Sequence, residues 1–431
     1  MSGLKVLTTN PLKHSAPLGG ALAFLGLDRC VPVLHGAQGC ASFAVALLTR
    51  HFREPVPIQT TALTELAAIL GGEDHLAAAL TNVAAKRRPD LIGLLTTGLT
   101  ETRGDDVAGL LVDFRAGGPR DLGIPVVAVS TPDFAGGLQE GYAAVVERLV
   151  AEFPAPAGVR VPGRVNLLAG PGLSPLDVEE VREMVETFGL RAVVLPDLSG
   201  SLDGHLAPEW SPVTTGGTSV ADLADLGGSQ ATLVVGASLA HAGRMLEESH
   251  GVPCLVHPSL TGLEETDRFL ADLARLSGRP VPERQRRWRA RLADGMLDAH
   301  FVLGGRRVAL ALEPDLIHAV AGFLAGMGAE IVAAVAPTKS PLLERLPCRE
   351  VMVGDFGDLE DAVGVGGADL LLASSHGALT AKRLGIPHLS LGFPVFDRLG
   401  AQQQLTVGYR GSLSLLFTVA NRFLEEVTER C

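Results

Sequence analysis

Long apolar runs alternate with helix-length segments along the chain. One pattern occurs three times: an apolar run, a short polar turn, a helix-length stretch, and a second apolar run that follows a G-(I/V)-P turn. Its copies are DLIGLLTTGLTE…GIPVVAVST (90–131), TLVVGASLAHAGRMLEESHGVPCLV (232–256) and DLLLASSHGALTAKRLGIPHLSL (369–391). Continuous apolar runs, as opposed to alternating ones, are typical of strands that are buried on both faces of a parallel sheet. The pattern therefore predicts an α/β architecture.

A longer repeat supports this prediction. The segment 163–196 has the same layout as the segment 305–337: strand, loop, helix, glycine and strand. Pro175 and Pro314 stand where the first turn of a helix accepts proline. We therefore expect three doubly wound, Rossmann-like α/β domains. Two linker-like segments, 152–164 and 277–300, place the domains at 1–160, 161–300 and 301–431.

The second linker contains a basic run, PERQRRWRARLADGMLDAH. A helix here would carry an apolar face and a face with arginines, which favours a solvated interdomain or interface helix over an anion site. The residues expected on the apolar face are Trp288, Leu292, Met296 and His300.

Composition and charge exclude several classes of protein. The chain has 431 residues, of which 47% are apolar, and this fits a globular protein of more than one domain. Its formal net charge of −12 argues against nucleic acid as a partner. The N-terminus lacks the apolar stretch of a secretory signal, and the most apolar window (318–337) is interpreted as a buried helix followed by a strand. We expect a soluble cytoplasmic protein that does not bind a membrane.

Common catalytic motifs are missing from the sequence. It contains no P-loop, no G-x-G-x-x-G after a strand and no H-E-x-x-H, and its twelve histidines are scattered. The segment TTGGTSVADL (214–223) could begin a helix that binds an anion, with Thr218 or Ser219 as the cap, although a cap without a ligand is favoured. The residues alone thus identify no catalytic group, which indicates a protein that works inside a complex.

Five cysteines are spread along the chain without a C-x-x-C pair, which argues against a disulfide framework and against a zinc site. Cys30, Cys254 and Cys348 lie in apolar contexts and are interpreted as small buried side chains.

Cys40, in HGAQGC, has different surroundings. Gly36 and Gly39 are expected to allow a tight turn and the close approach of a bulky group. A helix start at this point would favour a thiolate, and a thiolate can ligate iron. A four-iron cluster needs about four ligands. Cys40 is therefore either a structural thiol or one ligand of a site that another chain completes.

Several segments in fixed order resemble the nitrogenase component 1 superfamily, and the resemblance covers nearly the whole chain. They are NPLKHSAPLGGALAFLGL, HGAQGCASF, RHFREP, LLTTGLTE, TPDFAGG, LPDLSGSLDGHL, TTGGTS, PERQRRWRARLADGMLDAH and GYRGS. Within the superfamily, the chain most closely resembles the scaffold proteins on which the iron–molybdenum cofactor is matured.

This assignment rests on two sequence differences from the catalytic β subunit of the superfamily. That subunit supplies three cysteines to an eight-iron cluster, whereas this chain has Ser15 and Gly98 at two of the three positions and keeps only Cys40. The resemblance implies a 4Fe-4S cluster to which the partner chain contributes three cysteines and this chain one. It also makes Gly39, Ser15, Gly98 and Asp133 candidate neighbours of the cluster, although a plain hydrogen-bonding role is favoured for Asp133.

The resemblance further implies a scaffold and electron-relay subunit in an α2β2 heterotetramer, without catalytic activity of its own. The partner chain would hold most of the cofactor precursor. The nitrogenase iron protein and proteins that donate the precursor would bind transiently. Two alternatives stay open: an enzyme subunit of nitrogenase or of a protochlorophyllide reductase, and a small-molecule-binding α/β protein whose Cys40 is structural.

Overall fold

Three parallel β-sheets form the framework of the molecule. The computed structural model describes residues 8, 10–65, 67, 72–115, 122–156, 158, 160–206 and 209–429. Every strand pairing within the three sheets is parallel. The strands are β1 (Cys30–His35), β2 (Gln59–Thr60), β3 (Leu91–Thr96), β4 (Val126–Val129), β5 (Val161–Ala169), β6 (Arg191–Leu195), β7 (Ser229–Val235), β8 (Cys254–His257), β9 (Arg307–Ala311), β10 (Glu330–Ala336), β11 (Val351–Val353), β12 (Leu370–Ala373) and β13 (His388–Ser390).

The strand orders are those of doubly wound sheets. They are β2-β1-β3-β4, β6-β5-β7-β8 and β11-β10-β9-β12-β13. In each sheet the chain starts at an inner strand, moves to one side and then crosses back to the other. All residues of β1, β3 and β12 are buried, as continuous apolar runs predict. The predicted fold class is confirmed.

Helices connect the strands and cover the sheets. Some of them begin where the sequence predicts: Pro175 and Pro314 are the first residues of their helices. The helices are α1 (Ala16–Leu25), α2 (Gln38–Phe52), α3 (Glu73–Arg87), α4 (Gly98–Arg103), α5 (Val107–Arg115), α6 (Leu138–Glu152), α7 (Pro175–Thr187), α8 (Leu198–Ser201), α9 (Val220–Asp225), α10 (Ala240–His250), α11 (Leu263–Ser277), α12 (Glu283–Leu303), α13 (Pro314–Gly326), α14 (Phe356–Gly366), α15 (Ala378–Leu384) and α16 (Gly408–Glu429).

Two helices cross at glycine contacts beneath the first sheet. All ten residues of α1 are buried, and α1 packs against α6. A Cβ added to Gly19 would lie 1.8 Å from the carbonyl oxygen of Leu138, and one added to Gly141 would lie 1.9 Å from that of Ala16. The backbones of α1 and α6 therefore lie so close together that only glycine fits at these two positions.

The basic segment forms α12, but its buried face differs from the predicted one. Leu292 is fully buried as expected, whereas Trp288 and Met296 are half-buried and His300 is exposed. The remaining buried positions of the helix are Gln285, Gly295, Ala299 and Leu303. This face packs against α16.

The segment 214–223 forms an ordinary helix start. The hydroxyl of Ser219 accepts a hydrogen bond from the Asp222 N–H and so caps α9. The hydroxyl of Thr218 donates instead to the carbonyl of Val194 in β6, at 2.6 Å. Ser219 is thus the cap, and Thr218 holds the segment to the second sheet.

The three predicted domain ranges remain a prediction, and two segments make contacts across them. Leu12 packs in the apolar core of the third sheet, although it precedes the first sheet in the chain. The C-terminal helix α16 packs against α11 and α12, which precede the third sheet. None of the described helices is both long enough and apolar enough to cross a membrane.

Candidate functional site

Three loops leave the same edge of the first sheet. They follow β1, β3 and β4, which are neighbours in that sheet. His35 at the end of β1 lies beside Thr96 at the end of β3, so the two strands end together. Functional groups of parallel α/β sheets commonly lie at this carboxyl edge. The three loops lead to the predicted site residues Cys40, Gly98 and Asp133.

Hydrogen bonds hold the loop of Cys40 to the loop of Gly98. The Thr97 hydroxyl donates to the carbonyl of His35 at 2.9 Å, and the Thr100 hydroxyl donates to the same carbonyl at 3.1 Å. A Cβ added to Gly36 would lie 2.7 Å from Thr97 Oγ1. Gly36 is therefore required by close packing within this chain.

Cys40 lies on the surface at the start of a helix. It is the third residue of α2, its side chain is exposed, and its N–H donates to the carbonyl of Ala37 at 3.2 Å. The chain bends at Gly36 and passes from β1 to α2 within two residues, although neither Gly36 nor Gly39 has a positive φ. A Cβ added to Gly39 would meet nothing within 4 Å, so open space lies beside Cys40.

Asp133 joins the N-terminus of α1 to the third loop. Its Oδ1 accepts a hydrogen bond from the N–H of Ala16 at 3.1 Å, and its carbonyl accepts one from Lys13 Nζ at 2.7 Å. Partial burial raises the pKa of Asp133, while the Ala16 N–H and the Lys13 charge act in the opposite direction. The predicted hydrogen-bonding role of Asp133 fits these contacts.

Ser15 and Gly98 both lie near Asp133. Ser15 precedes Ala16, and its hydroxyl caps α1 by accepting from the Leu18 N–H at 3.4 Å. A Cβ added to Gly98 would lie 3.8 Å from Asp133 Oδ2. The structure therefore brings Ser15, Gly98 and Asp133 together, 118 residues apart in the chain at most (133 − 15).

A buried histidine supports this edge, and the sequence analysis did not find it. His35 Nε2 lies 2.9 Å from Asp105 Oδ2, and His35 Nδ1 lies 3.0 Å from Thr61 Oγ1. Asp105 also forms an ion pair with Arg103. Burial lowers the pKa of His35, although Asp105 partly opposes this. Seventy residues separate His35 from Asp105, so no local spacing could have indicated the pair.

Large apolar side chains are exposed beside the predicted site residues. Phe43 lies one turn after Cys40 and is 65% exposed, Leu99 follows Gly98, and Phe134 follows Asp133 and is 73% exposed. We call Cys40, Phe43, Leu99 and Phe134 the Cys40 face. Apolar exposure around a polar site is typical of a surface that binds another protein.

The other three cysteines with described side chains differ in burial. Cys30 is fully buried in β1, which confirms the prediction for it. Cys254 and Cys348 are half-buried, less than the prediction expected, and each packs against an apolar core. The Cys348 thiol donates to the carbonyl of Glu350 at 3.1 Å, which satisfies it without a metal.

The residues present fit one ligand of a shared cluster better than a complete metal site. Within the described part of the chain, no three His, Cys, Asp or Glu side chains are grouped so that they could hold a metal ion. Cys40 nevertheless offers an accessible sulfur next to open space at Gly39. A cluster bound here would need its remaining ligands from a second chain.

Comparison with known proteins shows similarity over nearly the whole chain to the family that the motifs resemble. A sequence profile described as "Nitrogenase component 1 type Oxidoreductase" matches residues 15–424. The chain is 48% identical over 421 residues to the "Nitrogenase iron-molybdenum cofactor biosynthesis protein NifN" of Nostoc sp. (strain PCC 7120), covering 98% of this chain and 94% of that protein. It is 39% identical to the NifN protein of Klebsiella pneumoniae, covering 98% of this chain and 92% of that protein.

A solved structure shares both the fold and the sequence pattern. A chain of "Nitrogenase Cp1 at pH 6.5" superimposes with a TM-score of 0.94 at 32% identity, covering 100% of this chain and 96% of the other. The motifs, the three parallel sheets and these similarities agree. The chain belongs to the nitrogenase component 1 type oxidoreductase family.

Proposed function

We propose that this chain is one subunit of a scaffold on which the precursor of the iron–molybdenum cofactor is held and matured. Full-length similarity to proteins named for iron–molybdenum cofactor biosynthesis supports this function. The partner is a NifE-like chain in an α2β2 heterotetramer, and it holds most of the precursor. The complex works in the cytoplasm, where the nitrogenase iron protein and proteins that donate the precursor bind it transiently.

In this proposal the Cys40 face meets the partner chain. Cys40 supplies one thiolate to a 4Fe-4S cluster, and the partner supplies the other three ligands. Phe43, Leu99 and Phe134 lose their exposure to water when the partner binds, which contributes to the stability of the interface. When bound, the cluster would supply one-electron transfer.

The residues around Cys40 have positioning roles. The hydrogen bonds from Thr97 and Thr100 fix the end of β1, and therefore the start of α2 with Cys40. Asp133 fixes Ser15 at the N-terminus of α1 through the Ala16 N–H. Gly98 keeps the space next to the Asp133 carboxylate free of a side chain.

Ser15 and Gly98 are the residues that favour a scaffold subunit over a catalytic β subunit. Both positions lie at the same edge as Cys40, yet neither provides a thiol. One cysteine from this chain is too few for its half of an eight-iron cluster, and it suits a four-iron cluster shared one to three.

The test is replacement of Cys40 in the co-purified pair. In Cys40→Ala, prepared without oxygen, we expect most of the iron of the shared cluster and its reduced-state EPR signal to be lost, because one of about four ligands is missing. Both chains should still co-purify, since an exposed side chain contributes little to folding.

The matched control is Cys348→Ala, whose half-buried thiol has a partner within the chain. We expect it to keep the iron content and EPR signal of the unmodified pair. An unchanged cluster signal in Cys40→Ala would refute the ligand assignment.

A further inference from the structure

A small cavity lies at the carboxyl edge of the second sheet, beside the start of α13. The chain enters this sheet at β5, adds β6 on one side and then crosses to β7 on the other, so the strand order reverses between β5 and β7. Such a reversal is where doubly wound sheets usually bind their ligands. The cavity has a volume of about 30 Å³ and is lined by Asp315 and by loop residues that include Gly170, Gly236, Ser259 and Thr261. It therefore has room for about two particles of the size of a water molecule.

Asp315 lines this cavity and has one carboxylate oxygen without a partner. The residue is only 6% exposed, so its carboxylate is buried. Oδ2 accepts hydrogen bonds from the N–H and the hydroxyl of Ser238, at 3.1 and 2.6 Å. Oδ1 is shielded from solvent and has no hydrogen-bond partner among the described residues. Because buried polar atoms are nearly always paired, Oδ1 indicates a bound partner in the cavity.

The charges near Asp315 are mostly negative. Burial, followed by the charge of Glu140, raises the pKa of Asp315 to about 6. Burial and the charges of Glu140 and Asp315 likewise raise the pKa of Glu313, and Lys13 opposes this only in part. Within the described residues, none of the three carboxylates forms an ion pair with an arginine or a lysine. A cation at Asp315 Oδ1 supplies both the missing partner and positive charge, whereas a water molecule supplies only the partner.

Position in the helix accounts for part of this arrangement. Glu313 is the N-cap of α13 and Asp315 is its second residue, and the helix dipole favours acidic side chains there. Asp177 lies in the first turn of α7, but both of its oxygens are paired. Oδ1 of Asp177 accepts from the N–H of Thr406 at 2.6 Å, and Oδ2 accepts from the N–H of Ser174 at 3.0 Å. The helix dipole thus explains an acidic residue at this place, but not an oxygen without a partner.

The size of the cavity and its single carboxylate decide which kind of cation fits. Ca²⁺ takes about six to eight oxygen ligands and Mg²⁺ keeps several waters, for which this cavity is too small. Within the described residues, no three acidic, histidine or cysteine side chains are grouped so that they could hold a metal ion. A monovalent cation needs less negative charge and is bound largely by neutral oxygens. We propose that this cavity binds one monovalent cation of the size of K⁺ or NH₄⁺, held by Asp315 Oδ1 and by carbonyl and hydroxyl oxygens of the loops that follow β5, β7 and β8.

The proposed cation joins two sheet units. Asp315 belongs to α13, which packs on β9 and β10 of the third sheet, whereas the loops belong to the second sheet. Binding therefore holds α13 against the second sheet and stabilises the folded chain. None of the residues of the Cys40 face lines the cavity, so this site goes beyond the proposed function and does not depend on it.

The experiment measures thermal unfolding of the full-length chain in its co-purified pair, in KCl, NH₄Cl or choline chloride at equal ionic strength. Choline is too large for the cavity. We expect KCl or NH₄Cl to raise the unfolding midpoint by roughly 2 to 4 °C relative to choline chloride, because an ion that binds only the folded chain stabilises it. The two salts distinguish a metal ion from an ammonium ion, and stabilisation by either supports the proposal. In Asp315→Asn the difference from choline chloride should fall below about 1 °C, because the amide carries no charge.

The matched control is Asp222→Asn. Asp222 lies in the first turn of α9, where its Oδ2 accepts from the Ser219 hydroxyl at 2.6 Å. It should keep the full difference between the salts, and an equal loss in both variants would assign the effect to screening of helix dipoles and overturn the proposal.

A second measurement does not depend on any variant folding. Crystals of the unmodified pair soaked in rubidium or thallium(I) salt should show an anomalous scattering peak next to Asp315 Oδ1. Equal midpoints in the three salts, or a site that holds water only, would overturn the proposal. If the pair did not form, the proposed function would fail, and the same measurements would be made on this chain alone.

Discussion

At the scale of the residue, two cysteines show how strongly position decides chemistry. Cys30 is fully buried in β1, and burial raises the pKa of its thiol far above the usual value. Cys40, ten residues later, is exposed on the first turn of α2. Because the thiolate is the reactive form and the metal ligand, Cys40 and not Cys30 is the one of these two that can take part in chemistry at the surface.

Thiol labelling tests this difference. In the isolated, iron-free chain we expect a maleimide to modify Cys40 at least about 100-fold faster than Cys30, because the Cys30 thiol is neutral and inaccessible. Mass spectrometry of peptides after timed labelling gives both rates. Cys30 should reach the rate of Cys40 only in denaturant, and equal rates in the folded chain would contradict the described burial.

At the scale of the element, the crossing of α1 and α6 positions the site. The N-terminus of α1 carries Ser15, and Asp133 binds the first N–H of that helix. The close crossing at Gly19 and Gly141 keeps α1 in place beneath the sheet. A substitution at this crossing should therefore shift Ser15 and Asp133 even though neither residue is replaced.

Gly19→Ala should destabilise the chain by about 3 kcal/mol or more, because its Cβ would meet a backbone carbonyl 1.8 Å away and the helices must separate. Urea unfolding of the co-purified pair would measure the change. We also expect a lower iron content, since α1 holds Asp133 and Ser15.

Gly322→Ala is the matched control, because Gly322 lies inside α13 and an added Cβ would meet nothing within 4 Å. It should stabilise the chain by roughly 0.5–1 kcal/mol through helix propensity. Equal effects of the two substitutions would show that the α1–α6 crossing is not tight.

At the scale of the whole molecule, polar contacts join the three sheet units. The Asp315 N–H, at the start of α13, donates to Gln139 Oε1 in α6 at 3.1 Å. Ser238, which follows β7, donates to Asp315 Oδ2 at 2.6 Å. The Thr338 hydroxyl, after β10, donates to Glu140 Oε1 at 2.9 Å.

Glu313 at this junction should make stability depend on pH. Its side chain is partly buried, and its Oε2 is shielded from solvent and has no hydrogen-bond partner among the described residues. Burial, followed by the charges of Glu140 and Asp315, raises the pKa of Glu313 to about 8, although Lys13 partly opposes this. Burial likewise raises the pKa of Asp315 to about 6.

The direction of this pH dependence follows from the number of protons that the folded and unfolded chains bind. Between the ordinary pKa of 4.5 and about 8 the folded chain holds a proton on Glu313 that the unfolded chain has lost, so stability falls as pH rises through this window. From pH 6 to pH 8 the loss is on the order of 2 to 3 kcal/mol. The window of Asp315 lies mainly below pH 6.

Glu313→Gln should remove most of this dependence, because its amide does not ionise. Urea unfolding at pH 6 and pH 8 would compare it with the unmodified chain and with Glu344→Gln, an exposed control. The decrease in the free energy of unfolding from pH 6 to pH 8 should become smaller in Glu313→Gln only. An unaltered decrease in that variant would mean that Glu313 is ionised in the folded chain.

Part of this protein is determined by the sequence alone. Continuous apolar runs such as LIGLLT and LLLA predicted strands buried on both faces, and the three sheets are parallel. Pro175 and Pro314 marked helix starts, because proline suits the first turn. These features are local, because a short segment is enough to determine both the spacing of its apolar residues and the backbone conformation that a proline favours.

The tertiary structure decided which distant residues meet. His35 and Asp105, Asp133 and Ala16, and the crossing of Gly19 with Leu138 join segments 70 to 119 residues apart. It also decided that α12 buries Gly295 and Ala299 while Leu297 and Phe301 stay exposed. Such contacts depend on how helices and sheets pack against one another, and the periodicity of a single segment contains no information about its partner.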